Sequence, residues 1–224
     1  MPPQAAPLRR LALAIAIVGA FALALQLALS IAITRADGGG AWTGAWLYLG
    51  YFTISTNALA TFALAANGST GRSRLEGFFR RPTVLTALAG CIVIVGIVYN
   101  LLLRRLWHPQ GITLLADVLL HDAMPLAFLL FWWLVPGKQA LRWRGLAWWQ
   151  LYPAAYFVYV LVRGACTGWY PYPFLDVSQE GYAEVLEHAV AMLVAFVGVE
   201  ALLIGLGRWP RRRAAGATLP PAAR

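Results

Sequence analysis

Residues 11–34 read LALAIAIVGAFALALQLALSIAIT and contain no charged side chain. A helix rises 1.5 Å per residue, so this stretch is long enough to cross the roughly 30 Å hydrocarbon core of a bilayer. It is apolar throughout, without two-residue alternation, which favours a helix over a barrel strand. It also exceeds the apolar region of about 7–15 residues in a signal peptide, so we expect a retained first span.

Further apolar stretches of similar length follow the first, separated by breaks that contain Gly, Pro and Arg. The predicted spans are residues 11–34, 45–66, 83–103, 112–135, 147–165 and 183–207. The chain is 60% hydrophobic and 12% charged, whereas a soluble domain carries about 25% charged residues. The sequence therefore predicts an all-α, polytopic membrane protein in which residues 1–207 form one domain of six transmembrane helices.

The basic residues are distributed unevenly between the two sides of these predicted spans. One side receives 14 of the 18 Lys and Arg residues, and the other receives Arg35, Arg104, Arg105 and Arg163. Because loops rich in Lys and Arg stay in the cytoplasm, both termini are predicted to be cytoplasmic. Residues 208–224 are expected to be a basic, disordered cytoplasmic tail. The net charge of +9 is thus a property of the loops, and we expect no nucleic-acid partner.

The fourth predicted span carries ionisable side chains, which are costly within a bilayer and usually mark functional sites. Asp117 and His121 are four residues apart and therefore lie on one helix face. Pro125 has no N–H, so the carbonyl of His121 loses its usual helical partner. The alternative interpretation is that Asp117 and His121 only satisfy each other structurally.

The second predicted span carries a polar stripe of Thr53, Thr56, Asn57 and Thr61. Small hydroxylated residues often mediate helix packing in membranes, so packing is one interpretation of this stripe. Depth suggests another, because Thr53 lies about 12 Å into its span and His121 about 13–14 Å into its own. At a common level, these two side chains are predicted to meet in the outer half of the bilayer.

Other polar residues are predicted to reach the same level, so we expect one polar cavity in the outer half. The expected substrate-binding residues are Asn57, Tyr99, Asn100, Tyr156, Tyr159, Arg163, Tyr172, Glu187 and His188. The aromatic loop that contains Tyr172 would cover this cavity or simply anchor the chain at the interface. The two cysteines lie at different predicted depths and no CxxC motif occurs, so we expect no disulfide framework. No cofactor is expected, and the alternative is a zinc site with ligands from different spans, namely Asp117, His121, Glu187 and His188.

Three segments carry a family resemblance: YFTISTN at 51–57, LHDAMP at 120–125, and Arg163-Gly164 with GWYPYPFLD at 168–176. In these segments and their order the chain resembles the bacterial "Pr-six-Pr" membrane proteins. More distantly, it is similar to the androgen-induced and androgen-dependent TFPI-regulating family of multi-span hydrolases, which cleave fatty acid esters of hydroxy fatty acids. That resemblance implies a Thr nucleophile at Thr53, a His at position 121, and a multi-pass location in the inner membrane.

The expected chemistry is the hydrolysis of a lipid ester, with membrane lipids or a small lipid as substrate. Thr53 needs a base, His121 is placed to supply one, and Asp117 would orient the imidazole. Asn57 or Asn100 would stabilise the oxyanion, and Arg163 would hold a carboxylate. Thr56 is an alternative nucleophile. A transporter or lipid-binding protein that uses the same cavity is the alternative function, and the sequence leaves the oligomeric state open.

Overall fold

The computed structural model describes residues 5–209, and every regular element in that range is helical. The α-helices are α1 (Ala6–Ala36), α2 (Ala41–Tyr48), α3 (Phe52–Gly68), α4 (Arg74–Phe79), α5 (Pro82–Val98), α6 (Gly111–Val118), α7 (Met124–Leu134), α8 (Gly145–Trp149), α9 (Leu151–Thr167) and α10 (Val177–Arg208). Two π-helical turns, Tyr99–Leu103 and Leu119–Ala123, continue α5 and join α6 to α7. The all-α prediction is confirmed for the part of the chain that the structure describes.

Several helices are long and apolar enough to cross a membrane. Within residues 5–209 these are Ala6–Ala36, Pro82–Leu103, Gly111–Leu134 and Val177–Arg208, with mean hydropathies of 1.8 to 2.5. The bent pair of α2 and α3 makes a fifth if it counts as one span. Four of the predicted spans agree with these long helices, and a fifth falls on the bent pair. The predicted span 147–165 falls on α8 and the 17-residue α9. Of the predicted tail, only Arg208 and Trp209 are among the described residues.

The predicted second span, residues 45–66, is wrong as a single helix. The chain bends by 76° between α2 and α3, with Tyr51 extended at the start of α3. A Cβ atom at Gly50 would come within 2.6 Å of both Arg163 Nη1 and the Trp169 ring. The bend is therefore built around a glycine that admits α9 and the following loop. It places Thr53 in the first turn of α3 rather than well inside a helix.

The core contains two large packed clusters, and α5 contributes residues to both. In the first, α1 packs against α3 through small residues such as Ala12, Ala16, Ala60 and Ala63, which allow a close approach of two helices. In the second, α5, α9 and α10 pack together with the loop of residues 168–176. Leu103 of the first π turn packs against the second cluster, and Leu120 of the second π turn packs with residues of α1 and α3. Turns of this type are frequent at functional sites.

Candidate functional site

His121 and Asp117 form a pair at the junction of α6 and the second π turn. His121 Nδ1 lies 2.9 Å from the main-chain oxygen of Asp117 and 3.3 Å from its Oδ1. Because both partners are acceptors, Nδ1 carries the proton. In the neutral imidazole, Nε2 then has a free lone pair, which is the arrangement a general base requires.

The Tyr99 ring stacks on the imidazole of His121, with the centroids 3.7 Å apart and the planes 14° from parallel. This contact joins the first π turn to the second. Asp122 adds a second link, because it forms a salt bridge with Arg104 and accepts from Asn100 Nδ2 at 2.9 Å. Contacts between the two π turns therefore restrict the orientation of the His121 ring.

Thr53 lies in a hydroxyl cluster at the start of α3. The Tyr172 hydroxyl accepts from the main-chain N–H of Phe52 at 3.1 Å and interacts with the Thr53 side chain and amide. Tyr156 donates to the Gly50 carbonyl at 2.8 Å, directly beside this cluster. Side chains from α9 and the 168–176 loop therefore satisfy polar groups at a helix start that has no side-chain cap of its own.

The alternative nucleophile Thr56 has a different environment. It is fully buried, and its hydroxyl lies 3.0 Å from the Tyr152 hydroxyl, which also contacts Ser55. Thr61, further along the same stripe, fits against Gly19 of α1. These two threonines serve packing, whereas Thr53 lines a cavity.

This cavity has a volume of about 290 Å³ and lies between α3, α5, α9, α10 and the 168–176 loop. Its polar lining residues are Thr53, Tyr99, Gln150, Tyr156 and Tyr172. Most of the remaining wall is apolar, with Phe52, Ile94, Val95, Phe157, Leu193 and Phe196 among its side chains. Its volume lies at the lower end of the range for small-molecule sites. An apolar wall with a few hydroxyl groups suits an acyl chain that ends in an ester.

The two asparagines proposed as oxyanion donors are already engaged. Asn57 Nδ2 donates to the carbonyls of Thr53 and Leu120, at 2.9 and 3.2 Å. Asn100 Nδ2 donates to the Gly96 carbonyl as well as to Asp122. Since an amide nitrogen has two protons, neither side chain retains a donor for an oxyanion. Their structural role is to tie π-turn and helix backbones together.

Arg163 is 4% exposed and lies in an aromatic box. Its guanidinium carbon is 4.4 Å from the Trp46 ring centre and 4.6 Å from that of Trp169. Its nitrogens donate to the Trp46 carbonyl and the Tyr159 hydroxyl, each at 2.8 Å. The side chain therefore fixes the bend between α2 and α3, and neither Arg163 nor Tyr159 lines the cavity.

The remaining predicted residues, Glu187 and His188, lie on α10 outside the cavity lining. Glu187 is exposed, and His188 Nδ1 lies 3.0 Å from the Phe174 carbonyl, so it anchors the 168–176 loop. Within residues 5–209, no cluster of three His, Cys, Asp or Glu side chains is placed to hold a metal ion.

The structure does not join Thr53 and His121 directly. No hydrogen bond links the two side chains among those of the described residues, and His121 is outside the cavity lining. Tyr99 connects them, since it stacks on His121 and lines the cavity with Thr53. The sequence predicted Tyr99 as a site residue, but its stacking on His121 depends on the π turn, which has no signal of its own in the sequence.

Gln150 lines the cavity and its Nε2 donates to Glu200 Oε2, but the sequence did not predict it as a site residue. The available signal in the sequence was the position of this uncharged polar side chain within the predicted span 147–165. Comparison with known proteins adds no further assignment: no family model matches the chain, nor does any curated protein or solved structure.

Proposed function

We propose that this protein is an intramembrane hydrolase of lipid esters, with Thr53 as nucleophile and His121 as general base. The observation that carries the proposal is the Asp117–His121 pair, which leaves Nε2 with a free lone pair. That imidazole stacks on Tyr99, which shares the wall of an acyl-sized cavity with Thr53. Fatty acid esters of hydroxy fatty acids, which the family resemblance implies, belong to this substrate class.

The reaction proceeds in two steps. Thr53 Oγ1 attacks the ester carbonyl while His121 Nε2 takes its proton and passes it to the leaving alcohol, which gives an acyl-threonine. Water then hydrolyses this acyl group, with His121 again as base. Catalytic hydrogen bonds are often long in ligand-free sites, so substrate binding is expected to bring Thr53 and His121 together.

The oxyanion of this mechanism would form at the start of α3. The main-chain N–H of Phe52 points at the Tyr172 hydroxyl, and the Thr53 amide interacts with the same oxygen. A substrate oxyanion that replaced this hydroxyl would receive both donors next to the nucleophile. The positive end of the helix dipole adds to this stabilisation.

In the membrane, the proposed arrangement has six crossings, with α8 and α9 together as the fifth and both termini in the cytoplasm. The 14-to-4 distribution of Lys and Arg supports this orientation. It places Thr53, His121 and the 168–176 loop in the outer half of the bacterial inner membrane. A lipid substrate therefore approaches from the outer leaflet.

The second candidate function is the binding or transport of a lipid. It is favoured by the missing hydrogen bond between Thr53 and His121 and by the apolar wall of the cavity. In this case, the cavity would hold an acyl chain without chemistry, and Asp117 and His121 would be structural or would transfer protons.

Labelling of the purified protein in detergent with a fluorophosphonate probe tests the two functions. For the hydrolase, Thr53→Ala and His121→Ala abolish labelling, and Thr56→Ala, the matched control, labels like the wild type. Asp117→Asn is expected to slow labelling by at least tenfold, because the imidazolium loses its carboxylate. If the folded wild type shows no labelling and no lipid-ester turnover, the hydrolase proposal is wrong and lipid binding takes its place.

A further inference from the structure

Glu200 is a fully buried carboxyl group in the last third of α10. Its Oε2 accepts from Gln150 Nε2 at 2.6 Å. Its Oε1 is buried without a hydrogen-bond partner, and so is Oε1 of Gln150. Two neighbouring side chains thus present two unsatisfied acceptor oxygens within an apolar core.

No cation of the described chain balances this carboxyl group. Among residues 5–209, the salt bridges of Asp and Glu side chains involve Glu76, Asp117 and Asp122, and none involves Glu200. An ionised carboxylate buried without a partner costs several kcal/mol. A single proton removes the charge and supplies the missing donor, since a carboxylic acid and an amide form a cyclic pair with two hydrogen bonds.

We propose that Glu200 and Gln150 form a buried proton-binding site whose protonation state controls the occupancy of the cavity. The proton resides on Glu200 and is shared with the Gln150 carbonyl oxygen. Gln150 also lines the cavity, so it connects Glu200 with the cavity. When Glu200 is neutral, its carboxyl group holds the Gln150 amide through two hydrogen bonds, and the cavity wall beside Gln150 stays apolar. When Glu200 is ionised, its charge draws water toward Gln150 and weakens the binding of an acyl chain.

The backbone around Glu200 is shaped to admit this side chain. A Cβ atom at Gly90 of α5 would lie 2.5 Å from Glu200 Cγ, so a larger residue would displace the carboxyl group.

Divalent cations such as Ca²⁺ take six to eight oxygen ligands, whereas Glu200 and Gln150 together offer three. The small number of acceptors favours a proton over a metal ion.

The other titratable groups near Glu200 are few among the described residues. Cys91 of α5 is buried and interacts electrostatically with Glu200. Tyr152 of α9 is near Cys91, and its hydroxyl forms hydrogen bonds with the hydroxyls of Ser55 and Thr56. Lys138 packs against Gly207, two turns along α10. Its ammonium donates to the carbonyls of Trp132, Trp133 and Val135. Glu200 is thus the only carboxyl group of this neighbourhood among residues 5–209.

Infrared difference spectroscopy of the full-length protein in detergent, between neutral and alkaline pH, tests the site directly. At neutral pH, we expect a C=O band of a protonated carboxylic acid that disappears in Glu200→Gln. It should remain in Glu184→Gln, a control on the exposed surface of α10. Gln150→Leu keeps Glu200 and serves as a second variant, with the band expected to shift because its hydrogen-bond partner is lost.

Binding of a fluorescent fatty-acyl probe as a function of pH tests the coupling. We expect wild-type affinity to fall about tenfold, or 1.4 kcal/mol, across the pH range in which the acid band disappears. The affinity of Glu200→Gln should stay constant over that range. The proposal is overturned if the wild type lacks the acid band, if Glu200→Gln retains it, or if Na⁺ rather than pH changes affinity. These measurements need no catalysis, so they remain decisive if Thr53 proves inert.

Discussion

At the scale of single residues, Arg163 shows how a buried cation is stabilised without a carboxylate partner among the described residues. Two tryptophan rings cover the guanidinium, and a carbonyl and a hydroxyl accept from its nitrogens. Cation–π contacts are each worth about 0.5–1 kcal/mol at exposed sites and about 2 kcal/mol when desolvated. Its position in the sequence predicted substrate binding, but the contacts are those of a residue that holds the bend before Thr53.

Asp176, just before α10, gives a prediction for pH. Its carboxylate accepts from Ser178 N at 3.0 Å, and from Ser178 Oγ and Gln179 Nε2 at 2.5 Å each. Its hydrogen bonds with Ser178 and Gln179 lower the pKa of Asp176 below its ordinary value of 3.8. A lowered pKa means that this stabilisation is complete above the unfolded-state pKa of about 3.9 and is lost as pH falls through the folded-state pKa.

We therefore expect Asp176→Ala to lower the free energy of unfolding by about 1 kcal/mol at pH 7, because the helix loses its cap. Asp176→Asn keeps an acceptor and should lose less. The difference between wild type and Asp176→Ala should shrink below pH 4, as measured by thermal unfolding in detergent. A difference that is unchanged at low pH would show that the ionised cap contributes nothing.

At the scale of helices, the contact between α1 and α3 depends on Gly19. A Cβ atom there would lie 2.2 Å from Thr61 Oγ1 and 2.7 Å from Met124 Cε. We expect Gly19→Ala to destabilise the protein by about 1–3 kcal/mol through overpacking. Thr61→Ala in the same chain should restore part of the loss, which a double-mutant cycle of thermal unfolding measures.

Gly198 of α10 is the matched control for Gly19, because no neighbouring atom of the described chain lies within 4 Å of a Cβ atom added there. Gly198→Ala should stabilise the helix by about 0.5–1 kcal/mol, since alanine loses less entropy than glycine. If both substitutions changed the free energy of unfolding equally, close packing at Gly19 would not be the cause of the change in Gly19→Ala.

The sequence predicted the positions of the helices better than the bends and π turns that interrupt them. Apolar length and charge clustering placed four spans within a few residues of the observed helices. The bend at Gly50 is different, because it depends on Arg163 and Trp169, which are more than 100 residues away in the sequence. The π turn at His121 had a local signal in Pro125, whereas the one at Tyr99 had none.

At the scale of the whole molecule, the cavity brings together residues that are distant in the chain. Depth along the spans predicted Thr53 and Tyr99 at one level, and both line the cavity. Tyr156, predicted from the polar face of the fifth span, and Tyr172, predicted from the loop above the cavity, line it as well. Depth carries no information about which way a side chain points around its helix. That is why Glu187 and His188, predicted at the same level, lie outside the lining.

If this cavity holds an acyl chain, filling it should block binding without unfolding the protein. Ala189 of α10 lines the cavity, and Ala189→Trp would occupy a large part of its volume of about 290 Å³. We expect the affinity for a fluorescent fatty-acyl probe to fall at least tenfold, because the apolar space that stabilises the chain is gone. Ala191, which is exposed and outside the lining, provides the matched Ala191→Trp control with wild-type affinity expected. Equal affinity in wild type and a folded Ala189→Trp variant would mean that acyl chains bind elsewhere, which would contradict both the hydrolase and the lipid-binding functions proposed for this cavity.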